Sequence, residues 1–329
     1  IITSVAMLLV SFSYVGISAV QGGYTFEKMQ VILWMCIFKA VDAMEDIYHG
    51  LYQKENRLDI ASKAMTLRMG ITIIVFGCGL VILKDLLISL IISTLLTVIL
   101  LLIFTKWTCT PFHAELLRAE INKRQIIALL KVCFPLFLGA FLSFYIGNAP
   151  KYAIDSMLND ELQACYGFIS MPVFVIGLLN GFIFNPMLYQ MSVLWNQRHL
   201  KRFVFKTVIQ TGIVALITLA CLVGAYLLGI PVLSLIYNTD LSPYKMELLV
   251  LLLGGGFLGI SGLLNAVITI IRGQKWMLWG YVFVAVLAYL FSDQIVGTYG
   301  MLGASVLYTV LMGILCVIFA GIFVCGIIR

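Results

Sequence analysis

Apolar residues recur along the chain in runs of about 20, separated by short polar connections, and such runs predict membrane-spanning helices, because about 20 residues at 1.5 Å each cross a bilayer core. Ten spans are predicted, at about 1–20, 29–52, 64–83, 86–105, 129–149, 163–189, 206–229, 246–270, 276–297 and 301–328. The fold class is all-α, a polytopic membrane protein. The chain opens on Ile1 inside an apolar run, which reads as the interior of a longer chain.

One span departs from this pattern. Between Val31 and Arg57, the residues Lys39, Asp42, Asp46, His49 and Gln53 recur every three or four positions and fall on one helical stripe, with Glu45 beside it. Each ionisable group near a bilayer centre costs on the order of 3 kcal/mol, so this stripe is expected to face protein or a water-filled cavity. That cavity is the leading candidate for the functional site. The structural alternative has Lys39 pair with Asp42 or Glu45 and only hold the bundle together. His49 beside Asp46 could shuttle protons, or serve as a hydrogen-bonded structural histidine.

Composition agrees with the pattern: 62% of residues are hydrophobic and 11% charged, against roughly 25% charged in soluble domains. The eight cysteines are scattered without C-x-x-C spacing and read as small hydrophobes, neither disulfides nor metal ligands. Of the 21 basic residues, 16 fall on alternate connections, four on the opposite set, and Lys39 lies within a span. The positive-inside rule puts the 16, Arg68 among them, in the cytoplasm together with the C-terminus. The net charge of +6 thus reports topology and implies no nucleic-acid partner.

Three further stretches carry chemistry. The connection 106–128 is predicted to be an amphipathic cytoplasmic helix, capped by Thr110 with Pro111 at its first position, between four spans (1–105) and six (129–329). The fifth span ends in Asn148, Lys151, Tyr152 and Asp155, and Lys151 is a rare outer-face cation suited to an anionic substrate. The sixth span carries Pro172, Asn180-Gly181 and Asn185-Pro186, so it is expected to kink or unwind, as a hinge or as a passive packing feature. The eighth span's GGGFLGISG lets helices approach closely.

Enzyme chemistry is not indicated. The three histidines lack metal-ligand neighbours, no nucleotide-binding loop or nucleophile elbow occurs, and no connection is long enough for a catalytic domain.

Together with the four-plus-six organisation, the stretches EDIYHGLYQKENRLDIASKAM and NAPKYAID and the Gly/Pro-interrupted helix after them resemble polysaccharide-unit flippases of the multidrug/oligosaccharidyl-lipid/polysaccharide exporter superfamily. The resemblance implies two lobes of six spans joined by a cytoplasmic linker, with two N-terminal helices outside this sequence. It implies that a lipid-linked oligosaccharide, on an undecaprenyl-pyrophosphate carrier, is flipped across the plasma (inner) membrane by alternating access. Lys39 and Lys151 are then candidates for the anionic headgroup, although the family pattern carries arginine where Lys151 stands, and lysine lacks its bidentate fork. Asp42, Glu45 and Asp46 would balance Lys39, bind a coupling cation or contact sugar hydroxyls. No cofactor is implied, and coupling to sodium or protons stays open. Implied partners are membrane lipids, a polysaccharide polymerase and glycosyltransferases. Two rivals remain: a cation-coupled multidrug antiporter of the same superfamily, which suits an acidic cavity, and a membrane enzyme polymerising or ligating lipid-linked sugars.

Overall fold

The computed structural model describes residues 8, 9, 11–13, 15, 16, 26–54, 58–108 and 123–328, and these are helical apart from short turns. Six helices among the described residues are long and apolar enough to cross a membrane: Ser62–Leu83, Leu86–Phe104, Asp160–Gly181, Leu200–Tyr237, Ser242–Ile270 and Gln274–Ile327. The chain is therefore a multi-pass membrane protein. It divides into two compact units, Ile1–Ile121 and Asn122–Arg329.

The first unit contains α1 (Phe26–Lys54), α2 (Leu58–Leu83) and α3 (Leu86–Thr108). α1 packs on α3 and, less extensively, on α2, while α2 and α3 form a hairpin. The hairpin turns at Lys84, whose φ of 52° is left-handed, and at Asp85, whose Oδ1 accepts from the backbone N–H of Ile88 at 3.0 Å and caps α3. α3 buries a stripe of Ser89, Ser93 and Thr97. Spacing of four puts these hydroxyls on one helical face, where Thr97 Oγ1 meets Thr72 Oγ1 of α2 at 3.0 Å. The buried hydroxyl of Thr97 also donates to the Ser93 carbonyl at 2.8 Å.

The second unit contains α4 (Lys123–Met157), α5 (Asp160–Asn196), α6 (Leu200–Gly224), α7 (Ile230–Tyr237), α8 (Lys245–Ile270) and α9 (Gln274–Ile328). α8 is its centre, packing against α5, α6 and α9, while α9 also packs along α4. The sequence explains why α8 can take that place. A Cβ on Gly254 would sit 2.6 Å from the Tyr308 ring, one on Gly255 3.0 Å from Val173, and one on Gly256 2.5 Å from Thr218. Consecutive glycines thus let three neighbouring helices approach one backbone. Hydrogen bonds tie α8 to α9 as well, from Thr309 Oγ1 to the Val250 carbonyl at 2.7 Å and from Asn265 Nδ2 to Tyr281 Oη at 3.1 Å.

Several expectations need correction. The unwinding foreseen at Pro172, Asn180-Gly181 and Pro186 is not found, because α5 runs unbroken over Asp160–Asn196. A proline removes one backbone donor, and the i→i−4 bonds on either side carry the helix past it. The irregularities fall elsewhere: a π-turn at Ala225–Gly229 joins α6 to α7, and α9 breaks at Gly300, whose φ of 58° and ψ of −139° suit only glycine. The predicted boundary between 276–297 and 301–328 coincides with that break. Of the expected linker helix, Lys106–Thr108 continue α3 and Lys123–Ala128 begin α4; its cap at Thr110 and Pro111 lies outside the described residues.

Candidate functional site

Each unit carries a cluster of the groups singled out in the sequence. In the first, the α1 stripe meets a cation that sequence reasoning had placed in a cytoplasmic connection. Arg68 lies in α2 at 1% exposure, and its Nη2 donates to Asp42 Oδ1 at 3.0 Å and also to Glu45 Oε2. Arg68 is thus the buried counter-charge of the stripe, which corrects both its loop assignment and the idea that Lys39 alone balances the acids. Lys39 is exposed and bonds the opposite side of Asp42, Nζ to Oδ2 at 3.2 Å. Glu45 is buried and Asp42 half-buried, so two carboxylates and one guanidinium form a charge-assisted knot.

Other members of the stripe stand apart. His49 Nε2 is 3.7 Å from Glu45 Oε1, beyond hydrogen-bond distance. Asp46 is exposed, so the proposed His49–Asp46 relay gains no contact from this arrangement. The side chain of Gln53 lies outside the described residues.

In the second unit, a cavity of about 840 Å³ opens among α4, α5, α8 and α9. Lys151, half-buried, is the sole charged side chain among its lining residues. Around it stand Asn148, Ser143, Ser170, Asn265 and Gln274, and the hydroxyl-bearing rings of Tyr166, Tyr281 and Tyr308. The helices dictate this set. On α4, Pro135, Gly139, Ser143, Gly147 and Lys151 recur every four residues and present one face, and Tyr166, Ser170, Val173 and Gly177, spaced by three or four, do so on α5. Small residues leave the volume, and polar ones point into it. Asn148 Nδ2 donates to the Phe144 carbonyl at 2.9 Å, leaving its Oδ1 as an acceptor. Tyr152, expected beside Lys151, is 51% exposed and absent from the lining.

Sequence reasoning missed Tyr166, Ser170, Asn265, Gln274, Tyr281 and Tyr308. The spacing of three or four on α4 and α5 was a signal that could have found the first two; the others lie about 95 residues or more further along the chain. Asn180, a candidate hinge residue, is buried against α8. A Cβ on Gly259 would collide with its Nδ2, and among the described residues neither of its amide atoms has a hydrogen-bond partner.

No protein-family model and no curated protein sequence matches the chain. Solved structures do. An inward-facing conformation of a multidrug resistance MATE family transporter of the MOP superfamily superposes with a TM-score of 0.76 at 14% identity, covering 100% of this chain and 78% of that one. An outward-facing conformation of such a transporter gives 0.70 at 15% identity, covering 100% and 76%. A MOP superfamily transporter from Pyrococcus furiosus gives 0.67 at 15% identity with coverage of 100% and 76%; for that protein a reversed polarity of the binding pocket suggests a different function. The chain has the all-helical fold of these transporters.

Proposed function

We propose that this chain, sharing the fold of MATE transporters of the MOP superfamily, moves a lipid-linked oligosaccharide across the plasma membrane by alternating access. The observation that carries the reading is the cavity of the second unit, whose lining has one charge, the cation of Lys151, amid amide and hydroxyl groups. A single ammonium in a low-dielectric site attracts an anion such as a pyrophosphate and repels a cationic drug. The amides and hydroxyls are the partners that sugar hydroxyls take, and tyrosine rings offer apolar faces for sugar C–H groups.

The first unit agrees. Arg68 occupies Asp42 and Glu45, so two of the stripe's three carboxylates are already engaged and the acidic excess that favoured a cationic substrate largely disappears. Transport would proceed as the ligand shifts the balance between inward-open and outward-open states, with the lipid tail remaining in the membrane. On this reading no bond is made or broken in the substrate, and the C-terminus lies in the cytoplasm.

A second reading, a cation-coupled multidrug antiporter, is favoured by Asp46, an exposed carboxylate outside the Arg68 cluster. Deleting the complete gene separates the two. The flippase reading expects lipid-linked repeat units to accumulate on the cytoplasmic leaflet while surface polysaccharide disappears, with restoration by the wild-type gene and by Lys151→Arg but not by Lys151→Glu. Unchanged surface polysaccharide with altered drug tolerance would overturn it in favour of the antiporter.

A further inference from the structure

A second concavity lies where the α8–α9 turn and the first turn of α9 meet the last turns of α9, which lie beyond its break at Gly300. It encloses about 560 Å³ and is lined by Arg272 and Trp276 on one side and by Ile318, Gly321, Ile322 and Cys325 on the other. Its floor is open because Gly321 is exposed and a Cβ there would meet nothing within 4 Å. The groove therefore runs along an apolar helix with a cation and an indole at its mouth.

Arg272 is held there by the turn. Its φ of 61° is left-handed, and the turn is closed by hydrogen bonds from Arg272 N–H to the Thr269 carbonyl at 3.1 Å and from Gly273 N–H to the Ile268 carbonyl at 2.9 Å. A non-glycine residue in this conformation costs roughly 1 kcal/mol, a cost that Lys84, Arg198 and Asn238 also carry at other turns. The Arg272 side chain is exposed and makes no salt bridge with a described residue; Lys275, three residues on, is also exposed. Among the described residues no carboxylate lines the groove. Trp276 is 59% exposed, in the position an interfacial tryptophan takes between headgroups and hydrocarbon.

We propose that this groove is a binding site for an anionic phospholipid, with its phosphodiester on Arg272 and Lys275, its glycerol region against the Trp276 indole, and one acyl chain lying over Gly321 between Ile318 and Ile322. Charge complementarity selects the occupant. Guanidinium matches a phosphate bidentately, and the lining Arg272, with the exposed Lys275 three residues on and no carboxylate among the described lining residues, favours a headgroup of net negative charge over a zwitterionic one. The apolar groove distinguishes a lipid from free phosphate, which has nothing to place over Gly321. The site is independent of what the second-unit cavity carries.

The test is native mass spectrometry of the full chain, purified in detergent and equilibrated with equal amounts of palmitoyl-oleoyl phosphatidylglycerol and phosphatidylcholine. Wild type is expected to retain one phosphatidylglycerol in preference to phosphatidylcholine. Arg272→Gln is expected to lower that bound fraction at least fivefold, and Gly321→Leu, whose Cβ would meet nothing within 4 Å and whose branch would occupy the groove, to do the same at unchanged melting temperature. Lys84→Gln, an exposed cation at another turn, should leave it unchanged. Equal retention of the two lipids by wild type, or undiminished phosphatidylglycerol on Arg272→Gln, would overturn the proposal. Loss of phosphatidylglycerol from Lys84→Gln to the same extent would overturn it also, since binding would then be diffuse surface attraction.

Discussion

Arg68 illustrates what one side chain decides. Buried in α2 and shared by Asp42 and Glu45, it faces the buried Glu45 carboxylate and shares Asp42 with Lys39. Breaking such a cluster by removing one partner costs about 3–5 kcal/mol. Arg68→Leu is therefore expected to lower the detergent-solubilised melting temperature and membrane abundance sharply, whereas Asp46→Asn, on an exposed side chain, should leave both near wild type. A melt of Arg68→Leu equal to wild type would mean that the cluster does not hold the unit together. The sequence displayed the α1 stripe because its period of three to four is local. It hid the role of Arg68, because the partners lie 23 and 26 residues away on another helix and because a basic residue following Lys54, Arg57 and Lys63 reads as one more member of a cytoplasmic loop. Arg68 and Thr72, four apart in an otherwise apolar run, were the available hint of a buried polar face.

At the scale of elements, length and period sufficed where a helix begins and ends in turn-forming residues. The predicted 86–105 and 246–270 became Leu86–Thr108 and Lys245–Ile270. They failed where proline and glycine were expected to break a helix from within, since α5 continues past Pro172 while Gly300, with no proline nearby, takes a conformation outside the helical region. Whether a glycine bends the chain or admits a neighbour depends on the packing around it, which composition does not record. For α8 the packing is explicit. Gly256→Leu is expected to destabilise the second unit by about 1–3 kcal/mol or more, as overpacking does in a filled core, because Thr218 lies where its Cβ would go. Gly177→Ala, with nothing within 4 Å of its Cβ position, is the matched control and should fold normally. Comparable thermal melts for the two variants would contradict the close approach of α6 to α8.

At the scale of the molecule, two units each carry one polar cluster of distinct character, an engaged ion knot in the first and a cation-bearing cavity in the second. The distribution of Lys and Arg orients them. Arg198 and Asn238 lie in turns at opposite ends of the continuous run Leu200–Tyr237, so an impermeant thiol reagent applied to intact cells, scored against the parent chain, is expected to label Asn238→Cys and to reach Arg198→Cys only after permeabilisation. The reverse pattern would invert the topology and with it the direction of transport. Binding measurements decide whether Lys151 receives the anionic headgroup of a lipid-linked sugar. The purified full chain would be titrated with undecaprenyl-pyrophosphate-linked oligosaccharide, with wild type, Lys151→Arg and Lys151→Gln measured side by side against a cationic dye. Lys151→Gln is expected to bind the lipid-linked sugar at least tenfold more weakly, about 1.4 kcal/mol, with Lys151→Arg close to wild type and the dye bound poorly by all three. Equal affinity of wild type and Lys151→Gln for the lipid-linked sugar, or tighter binding of the dye than of the sugar, would contradict that role.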